Sequence, residues 1–133
     1  MDDIRIIEEF LNQIPTFYLG TIDGNQPRIR PLGFHLLQDN KLYFGVGMFK
    51  DVFHQMEINS NVEICASKGG KFLRYYGQAI FEKDDDIANQ VLDKNPNLKR
   101  IYNQIDHKLA IFHLEQATAE FHVMSKLKEI YHF

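Results

Sequence analysis

Residues 62–82 read VEICASKGGKFLRYYGQAIFE, and this stretch decides the fold. Apolar and more polar residues alternate over 62–67, which is the period-two pattern of a strand with one buried face. Gly69-Gly70 follows, and glycine adopts the positive φ angles of a tight turn without steric cost. A second extended run occupies 71–82. The stretch therefore predicts two antiparallel strands joined by a hairpin.

The same patterns predict the other elements on either side of this hairpin. Further strands are predicted over 17–22, 28–37, 42–46 and 109–124. Apolar residues at helical spacing predict helices over 2–14 and 49–58, and a third after the acidic triplet 84–86. A fourth is predicted to open at Asn95-Pro96 and to carry apolar residues as far as Ile105. The turns predicted at 23–25 and 38–40 are short, so they would join the first three strands into an antiparallel meander.

These elements predict one mostly-β domain of the α+β class over residues 1–133. Its six antiparallel strands, with helices at the ends and between the later strands, are incompatible with a doubly wound parallel sheet. A small barrel closes the edges of such a sheet most economically. We therefore expect a six-stranded antiparallel barrel with peripheral helices.

Composition excludes several classes of protein. The 133 residues include 15 Lys plus Arg against 18 Asp plus Glu, a formal charge of −3, which argues against sequence-independent nucleic-acid binding. No apolar run approaches the roughly 18–20 residues of a membrane span. The acidic start at Met1-Asp2-Asp3 is unlike a signal peptide, and the single Cys65 cannot form an internal disulfide. We expect a cytoplasmic protein without a membrane or nucleic-acid partner.

Two arginines stand out in a first half that is poor in cations. Arg28 and Arg30 lie one strand period apart between Pro27 and Pro31, and share the parity of Leu32. They suit a solvated strand end or a salt bridge. They equally suit an anion or carbonyl-edge site, because the guanidinium group offers a planar fork of donors.

A lysine marks the predicted junction between the third strand and the second helix. Lys50 follows Gly45-Val46-Gly47, so it would lie where free backbone N–H groups and the positive end of a helix dipole meet. Taken alone, it could be an ordinary solvated lysine. Taken with the arginines, it predicts a site for a flat phosphorylated ligand.

No motif supplies a reactive group from the protein itself. The six histidines show no metal-binding spacing, and nucleophile-elbow, Walker and dinucleotide-binding glycine motifs are missing from the sequence. We therefore expect no metal and identify no catalytic residue. If the protein is an enzyme, a cofactor brings the reactivity. The 11 Phe and 6 Tyr are numerous enough to serve a dimer interface or a planar-ligand pocket as well as a core.

The order and spacing of several short motifs resemble the small pyridoxamine 5′-phosphate oxidase-like proteins over nearly the whole chain. The motifs are TIDG at 21–24, PRIRP at 27–31, KLYF at 41–44, KDVF at 50–53 with Gln55, VEICA at 62–66, FLR at 72–74 before Gly77, and KEIYHF at 128–133. This resemblance implies an FMN-binding split barrel that forms a homodimer with the flavin at the subunit interface.

The resemblance also implies roles for individual residues. Arg30 matches the family's arginine before the second-strand flavin contacts, and the backbone of Pro31, Leu32 and His35 matches the stretch beside the isoalloxazine. Lys50 matches the phosphate-binding lysine. Gly45 and Val46 match the strand end that borders the flavin, with Gly47 next to them, and Phe72 matches a residue that approaches the ring from the partner chain.

The chain departs from the family pattern beside the lysine. Val46-Gly47 replaces a common Thr-Asn, and Met48-Phe49 replaces a nearby Ser or Thr. At about 0.5–1.5 kcal/mol for each hydrogen bond, losing two weakens flavin binding about tenfold or more.

Three functions follow as expectations. The first is an FMN-dependent oxidoreductase that takes electrons from a reduced nicotinamide or a small organic donor. The second is a non-catalytic module of the same fold that binds or senses a flavin or haem, which the lost polar contacts favour. The third is a small barrel that binds nucleic acid or protein through exposed aromatic residues; the acidic balance argues against nucleic acid.

Overall fold

A computed structural model of the protein describes residues 3–102 and 108–133. The helices in this part of the chain are α1 (Arg5–Leu11), α2 (Asp51–Ile58), α3 (Asp86–Lys94) and α4 (Pro96–Tyr102). The strands are β1 (Phe17–Asp23), β2 (Gln26–Leu32), β3 (Leu36–Gln38), β4 (Lys41–Gly47), β5 (Asn61–Lys68), β6 (Lys71–Phe81), β7 (Leu109–Val123) and β8 (Lys126–His132). The predicted helix start at Asp2 and the predicted helical position Ile105 lie outside the described residues.

The strands form one antiparallel sheet in the order β2-β1-β5-β6-β7-β4-β3, and β8 pairs with β7. The hairpin of β5 and β6 is confirmed, with Val62 opposite Gly77 and Gly69 at φ +62° in the turn. The turn between β3 and β4 is confirmed as well, because Asp39 and Asn40 both take positive φ angles.

The predicted count of six strands is wrong, and the sheet has eight. The run predicted as one strand over 28–37 is two strands, because the pairing of β1 with β2 ends at Phe17 opposite Leu32. Beyond Leu32 the chain leaves this neighbour and resumes at Leu36, where β3 pairs with β4. The eighth strand is β8, which a turn at Met124, with φ +59°, folds back onto β7.

The predicted three-strand meander is also wrong. β2 and β3 lie at opposite ends of the sheet order, so the chain crosses from one edge to the other between Leu32 and Leu36. β4 pairs with β7 rather than with β2, with Phe44 opposite Phe112. Short turns predict hairpins correctly, but they do not determine which strand lies on the second side of each hairpin.

The core fills one face of the sheet. Alternate residues of β1, β5 and β6, such as Leu19, Ile64 and Leu73, are fully buried, and α1 adds Ile7 and Leu11 to the same cluster. A second cluster lies on the other side of β4 and β7, where Tyr43, Ala88, Val91 and Ile111 pack together and hold α3 against the sheet. This packing brings α4 close to the end of β4.

The pairing of β6 with β7 is irregular at Gly77. The register shifts between Tyr76 and Gln78, and Gln116 on the opposing strand takes φ +50°. A Cβ atom at Gly77 would lie 2.8 Å from the carbonyl oxygen of Glu115. The bulge therefore needs glycine, because the backbone of β7 occupies the space of a side chain.

Within the described residues, the helices are too short or too polar to cross a membrane.

Candidate functional site

Helix α2 begins at Asp51, directly after Lys50, and no side chain of the described residues caps its first amides. Lys50 is the N-cap residue at φ −96° and ψ 155°, and its own amide donates to the carbonyl of Gly47 at 3.0 Å. The Phe53 amide already donates to the Lys50 carbonyl at 3.1 Å. The amides before it in a helix have no partner within the helix, and together with the helix dipole they attract an anion. The exposed Lys50 side chain adds a full positive charge at the same point. These donors fit a phosphate group.

An aromatic wall stands beside Lys50. The Lys50 ammonium lies 5.8 Å from the centroid of the Phe49 ring, and Phe49 packs on Tyr102 of α4 with the ring centroids 6.0 Å apart. A Cβ atom at Gly47 would meet Phe49 at 2.9 Å and Tyr102 at 3.3 Å. Burial raises the pKa of the Tyr102 phenol. Gly47 thus makes room for rings where the family resemblance implies polar groups.

Arg30 is tied into a ring of hydrogen bonds between β1, β2 and α2. Its Nη1 donates to Thr21 Oγ1 at 2.7 Å and to the carbonyl of Leu19 at 3.2 Å. Its Nη2 donates to Gln55 Oε1 at 3.0 Å, and Thr21 Oγ1 donates to the same oxygen at 2.7 Å. Burial, with a smaller effect of Arg28, lowers the pKa of the Arg30 guanidinium. Within the described residues, these bonds use three of its five N–H groups.

Arg28 is placed differently, although it shares a face of β2 with Arg30. Its Nε lies 3.4 Å from Asp23 Oδ2, and both side chains are about half exposed. This is the salt bridge at a strand end that the sequence left open as an alternative. An exposed pair of this kind contributes little to stability.

The stretch after Arg30 runs along the edge of the sheet and into the connection to β3. Pro31 is exposed and lies opposite Tyr18, while Leu32 packs against the core. His35 lies in the connection, where its Nε2 is 2.8 Å from Asn12 Oδ1 and its ring packs edge-on against Phe17. Burial lowers the pKa of His35. His35 is thus held by α1 and β1.

Gly45 and Val46 present little side chain to a ligand. A Cβ atom at Gly45 would lie 3.1 Å from Leu109, and the Val46 side chain is buried in the core. Any contact from these residues to a ligand is therefore made by backbone or by the glycine surface.

Phe72 belongs to another part of the surface. It stacks on His122 of β7 with the centroids 4.7 Å apart and the rings parallel. His122 Nε2 in turn lies 3.0 Å from Glu120, which also accepts a hydrogen bond from the Tyr76 hydroxyl. Phe72 thus presents an aromatic surface on the outer side of β6.

Arg30 bonds to Gln55 of α2, and Gly47 and Lys50 lie at the start of the same helix. Arg28 pairs instead with Asp23, and Phe72 stacks on His122. The structure adds two polar residues to the contacts of Arg30, namely Thr21 and Gln55, for which the sequence predicts no role. A signal for Thr21 was present, since it shares the inward parity of Phe17 and Leu19, where a hydroxyl must find a partner. Gln55 was present in one of the motifs that carry the family resemblance, KDVF at 50–53 with Gln55, but that motif indicated no role for it.

A groove of about 620 Å³ crosses the outer face of β1, β2, β5 and β6. Arg30 and Lys50 do not line it. Its apolar and aromatic walls include Tyr18, Ile29 and Tyr76, and Gly20 and Gly77 leave its floor open. Tyr18 is 49% exposed, and Ile29, on the edge strand β2, is 73% exposed, so apolar surface faces water along this groove.

Comparison with solved structures finds this architecture repeatedly. A NimC/NimA family protein from Clostridium acetobutylicum superposes with a TM-score of 0.87 at 26% identity, over 98% of this chain and 92% of the other. A pyridoxamine 5′-phosphate oxidase-related, FMN-binding protein from Nostoc punctiforme superposes with a TM-score of 0.65 at 13% identity, over 91% and 84%. General stress protein 26 from Bacillus anthracis gives 0.68 at 18% identity, over 92% and 98%.

No curated protein matches the sequence. A sequence profile described as pyridoxamine 5′-phosphate oxidase, however, matches residues 5–124, which include strands β1 to β7, the helix α2 and the residues Arg30 and Lys50 described above. On this match, the chain belongs to the pyridoxamine 5′-phosphate oxidase family.

Proposed function

We propose that the protein is a flavoprotein oxidoreductase that binds FMN noncovalently on a single split-barrel domain. The observation that carries this proposal is the uncapped start of α2 at Lys50, an anion site in a chain of this family. Bound FMN would supply the redox chemistry, accepting electrons from a reduced nicotinamide or a small organic donor. Lys50 and the first amides of α2 would hold the phosphate, and the guanidinium group of Arg30 would face the polar edge of the ligand.

We further propose that the protein forms a homodimer through the face that carries the groove. Tyr18 and Ile29 expose apolar surface there, and Phe72 lies on the outer side of the neighbouring strand β6. Covering such a face removes apolar surface from water and brings Phe72 to the partner chain. A flavin held at the edge of this face would then be enclosed by two subunits.

Absorbance spectroscopy tests the flavin assignment directly. The protein is incubated with FMN, freed of excess ligand, and scanned in the visible range before and after addition of NADH or NADPH. We expect a retained flavin band that is bleached by one of the donors. A protein that retains no flavin would refute the proposed function.

The second candidate function is a binding or sensing module for a flavin or haem without turnover. It is favoured by the buried Val46 and by the Phe49 ring beside Lys50, which replace the family's polar contacts. Stoichiometric binding that no reduced nicotinamide or small organic donor bleaches would support this candidate, and rapid bleaching would exclude it.

A further inference from the structure

The ring of hydrogen bonds around Arg30 has only one possible arrangement of protons. Arginine donates and cannot accept, so Thr21 Oγ1 must accept from Nη1, at 2.7 Å. The Thr21 hydroxyl proton is then directed to Gln55 Oε1, which also accepts from Nη2 of Arg30. The carbonyl end of the Gln55 side chain is thereby fixed toward the sheet.

This ring is buried at its centre. Thr21 is 2% exposed and is one of two polar residues in the described part of the chain that are classed as buried. A buried hydroxyl without partners costs free energy, and so does a guanidinium or amide group that loses its partner. Removing the Thr21 hydroxyl therefore leaves both Arg30 and Gln55 short of a hydrogen bond.

Helix α2 depends on contacts of this kind for its position. It has eight residues, and helices this short do not hold their own structure in water. Val52 and Met56 anchor it to the core through apolar contacts, which leave a short helix free to slide or rotate slightly. Gln55 adds a directional anchor to two strands, in the helical turn that follows Lys50 and the first amides.

We propose that Thr21 and Gln55 are positioning residues. With Arg30, they fix the position of the N-terminal end of α2, beside Lys50, so that it can bind the phosphate group of a ligand. This inference rests on the proposed function, since it concerns the same phosphate site. Neither residue needs to touch the ligand. Their effect is to keep Lys50 and the first amides of α2 in positions from which both can contact the same phosphate group.

Paired ligands separate this role from a general effect on stability. FMN and riboflavin share the ring and the ribityl chain, and only FMN carries the phosphate. Their affinities are measured by flavin fluorescence for the wild type, Thr21→Val and Gln55→Met. We expect each variant to bind FMN about tenfold more weakly, the equivalent of about one lost hydrogen bond, and riboflavin less than about threefold more weakly.

Two further variants serve as controls. Thr21→Ser keeps the hydroxyl and should restore FMN affinity to within about threefold of the wild type. Thr16→Val makes the Thr→Val change at an exposed residue before β1 and should leave both affinities unchanged. Equal losses for FMN and riboflavin in Thr21→Val, or no loss for FMN, would overturn the inference while the wild type's flavin binding stands. A wild type that binds no FMN would refute the proposed function, and the positioning role with it.

Hydrogen exchange of the protein without added flavin tests separately whether the hydrogen bonds of Thr21, Arg30 and Gln55 stabilise α2. Without the Thr21 hydroxyl, the backbone amides of α2 should exchange about tenfold faster, because the helix opens more easily. Thr16→Val should not change them. Unchanged exchange in Thr21→Val would overturn the inference even if FMN binds tightly.

Discussion

At the residue scale, the two cations that the sequence pairs in one site have different tasks in the structure. Lys50 is exposed at the start of α2, and its charge is available to a ligand. Arg30 uses three of its donors within the fold, so its first role is to connect β1, β2 and α2. The spacing of charged residues identifies both positions, but only the contacts separate ligand binding from positioning.

Replacing Lys50 by alanine should therefore weaken FMN much more than riboflavin. A hydrogen bond to a charged group contributes about 1.5–3 kcal/mol, and screening at an exposed site reduces it, so we expect about a tenfold loss for FMN. Isothermal titration calorimetry at low and high salt measures both ligands. Lys41→Ala, which removes an exposed lysine at the other end of β4, is the matched control. Equal losses for the two flavins would show that Lys50 does not hold the phosphate.

At the element scale, the long pairing of β6 with β7 carries two distinctive features of the sheet, a bulge and a set of polar contacts on its outer face. The bulge at Gly77 and Gln116 makes this pairing irregular. Glu120 of β7 accepts a hydrogen bond from Tyr76 of β6 and lies beside His122 of its own strand. Both features lie near the groove. Their contribution to stability can be measured without any ligand.

Gly77→Ala should destabilise the protein strongly. Its Cβ atom would lie 2.8 Å from the carbonyl oxygen of Glu115 and 2.9 Å from Cα of Ala117, so the strands must separate. Overpacking of this kind costs about 1–3 kcal/mol, measurable as a lower urea midpoint. Gly20→Ala, whose Cβ would have its nearest contact at 3.6 Å, should change the free energy of unfolding by less than about 0.5 kcal/mol. Equal urea midpoints for the two variants would show that the backbone of β7 does not approach Gly77 as closely as described.

Glu120→Gln should make the free energy of unfolding less dependent on pH in the acid range. Hydrogen bonds from Tyr76 and His122 lower the pKa of the Glu120 carboxyl from its ordinary value of 4.5. A carboxyl whose pKa is lower in the folded state stabilises the fold above about pH 4.5 and loses that contribution as the pH falls further.

Urea unfolding at a series of pH values measures this effect. Below about pH 4.5 the free energy of unfolding should fall less steeply for Glu120→Gln than for the wild type. Glu9→Gln, at an exposed position of α1, should keep the wild-type slope. The same slope in the wild type and Glu120→Gln would show that the hydrogen bonds to Glu120 do not affect its titration in solution.

At the scale of the whole molecule, the two sides of the sheet differ in what covers them. One side is filled by the core and α1, and part of the other carries an apolar groove with exposed Tyr18 and Ile29. The candidate phosphate site lies at the start of α2, which packs on β1 and β4. The exposed apolar side chains of the groove are the basis for proposing a second subunit on this face.

Ile29→Glu should disrupt the proposed dimer. Burying a carboxylate in an apolar interface is unfavourable, so we expect the dimer dissociation constant to rise at least about tenfold. Sedimentation velocity over a range of concentrations measures it. Ile58→Glu makes the same change at an isoleucine that is 89% exposed at the end of α2, outside the groove, and should leave the dimer intact. A monomeric wild type, or an unaffected Ile29→Glu dimer, would refute this interface.

Local sequence patterns determined the features of this protein that depend on neighbouring residues. The β5–β6 hairpin, the turn at Asp39-Asn40 and the helix that begins after Lys50 all follow from residue periodicity and turn chemistry. The candidate site was predictable to the same extent, because a lysine after a strand and before a helix is a local signal.

Only the tertiary structure decided how distant segments meet. The separation of β2 from β3, the pairing of β4 with β7, and the contact of Arg30 with Thr21 and Gln55 all join residues far apart in the chain. Periodicity states which face of a strand is buried, but the order of strands depends on which buried faces and backbone edges pair most favourably once the whole chain has collapsed.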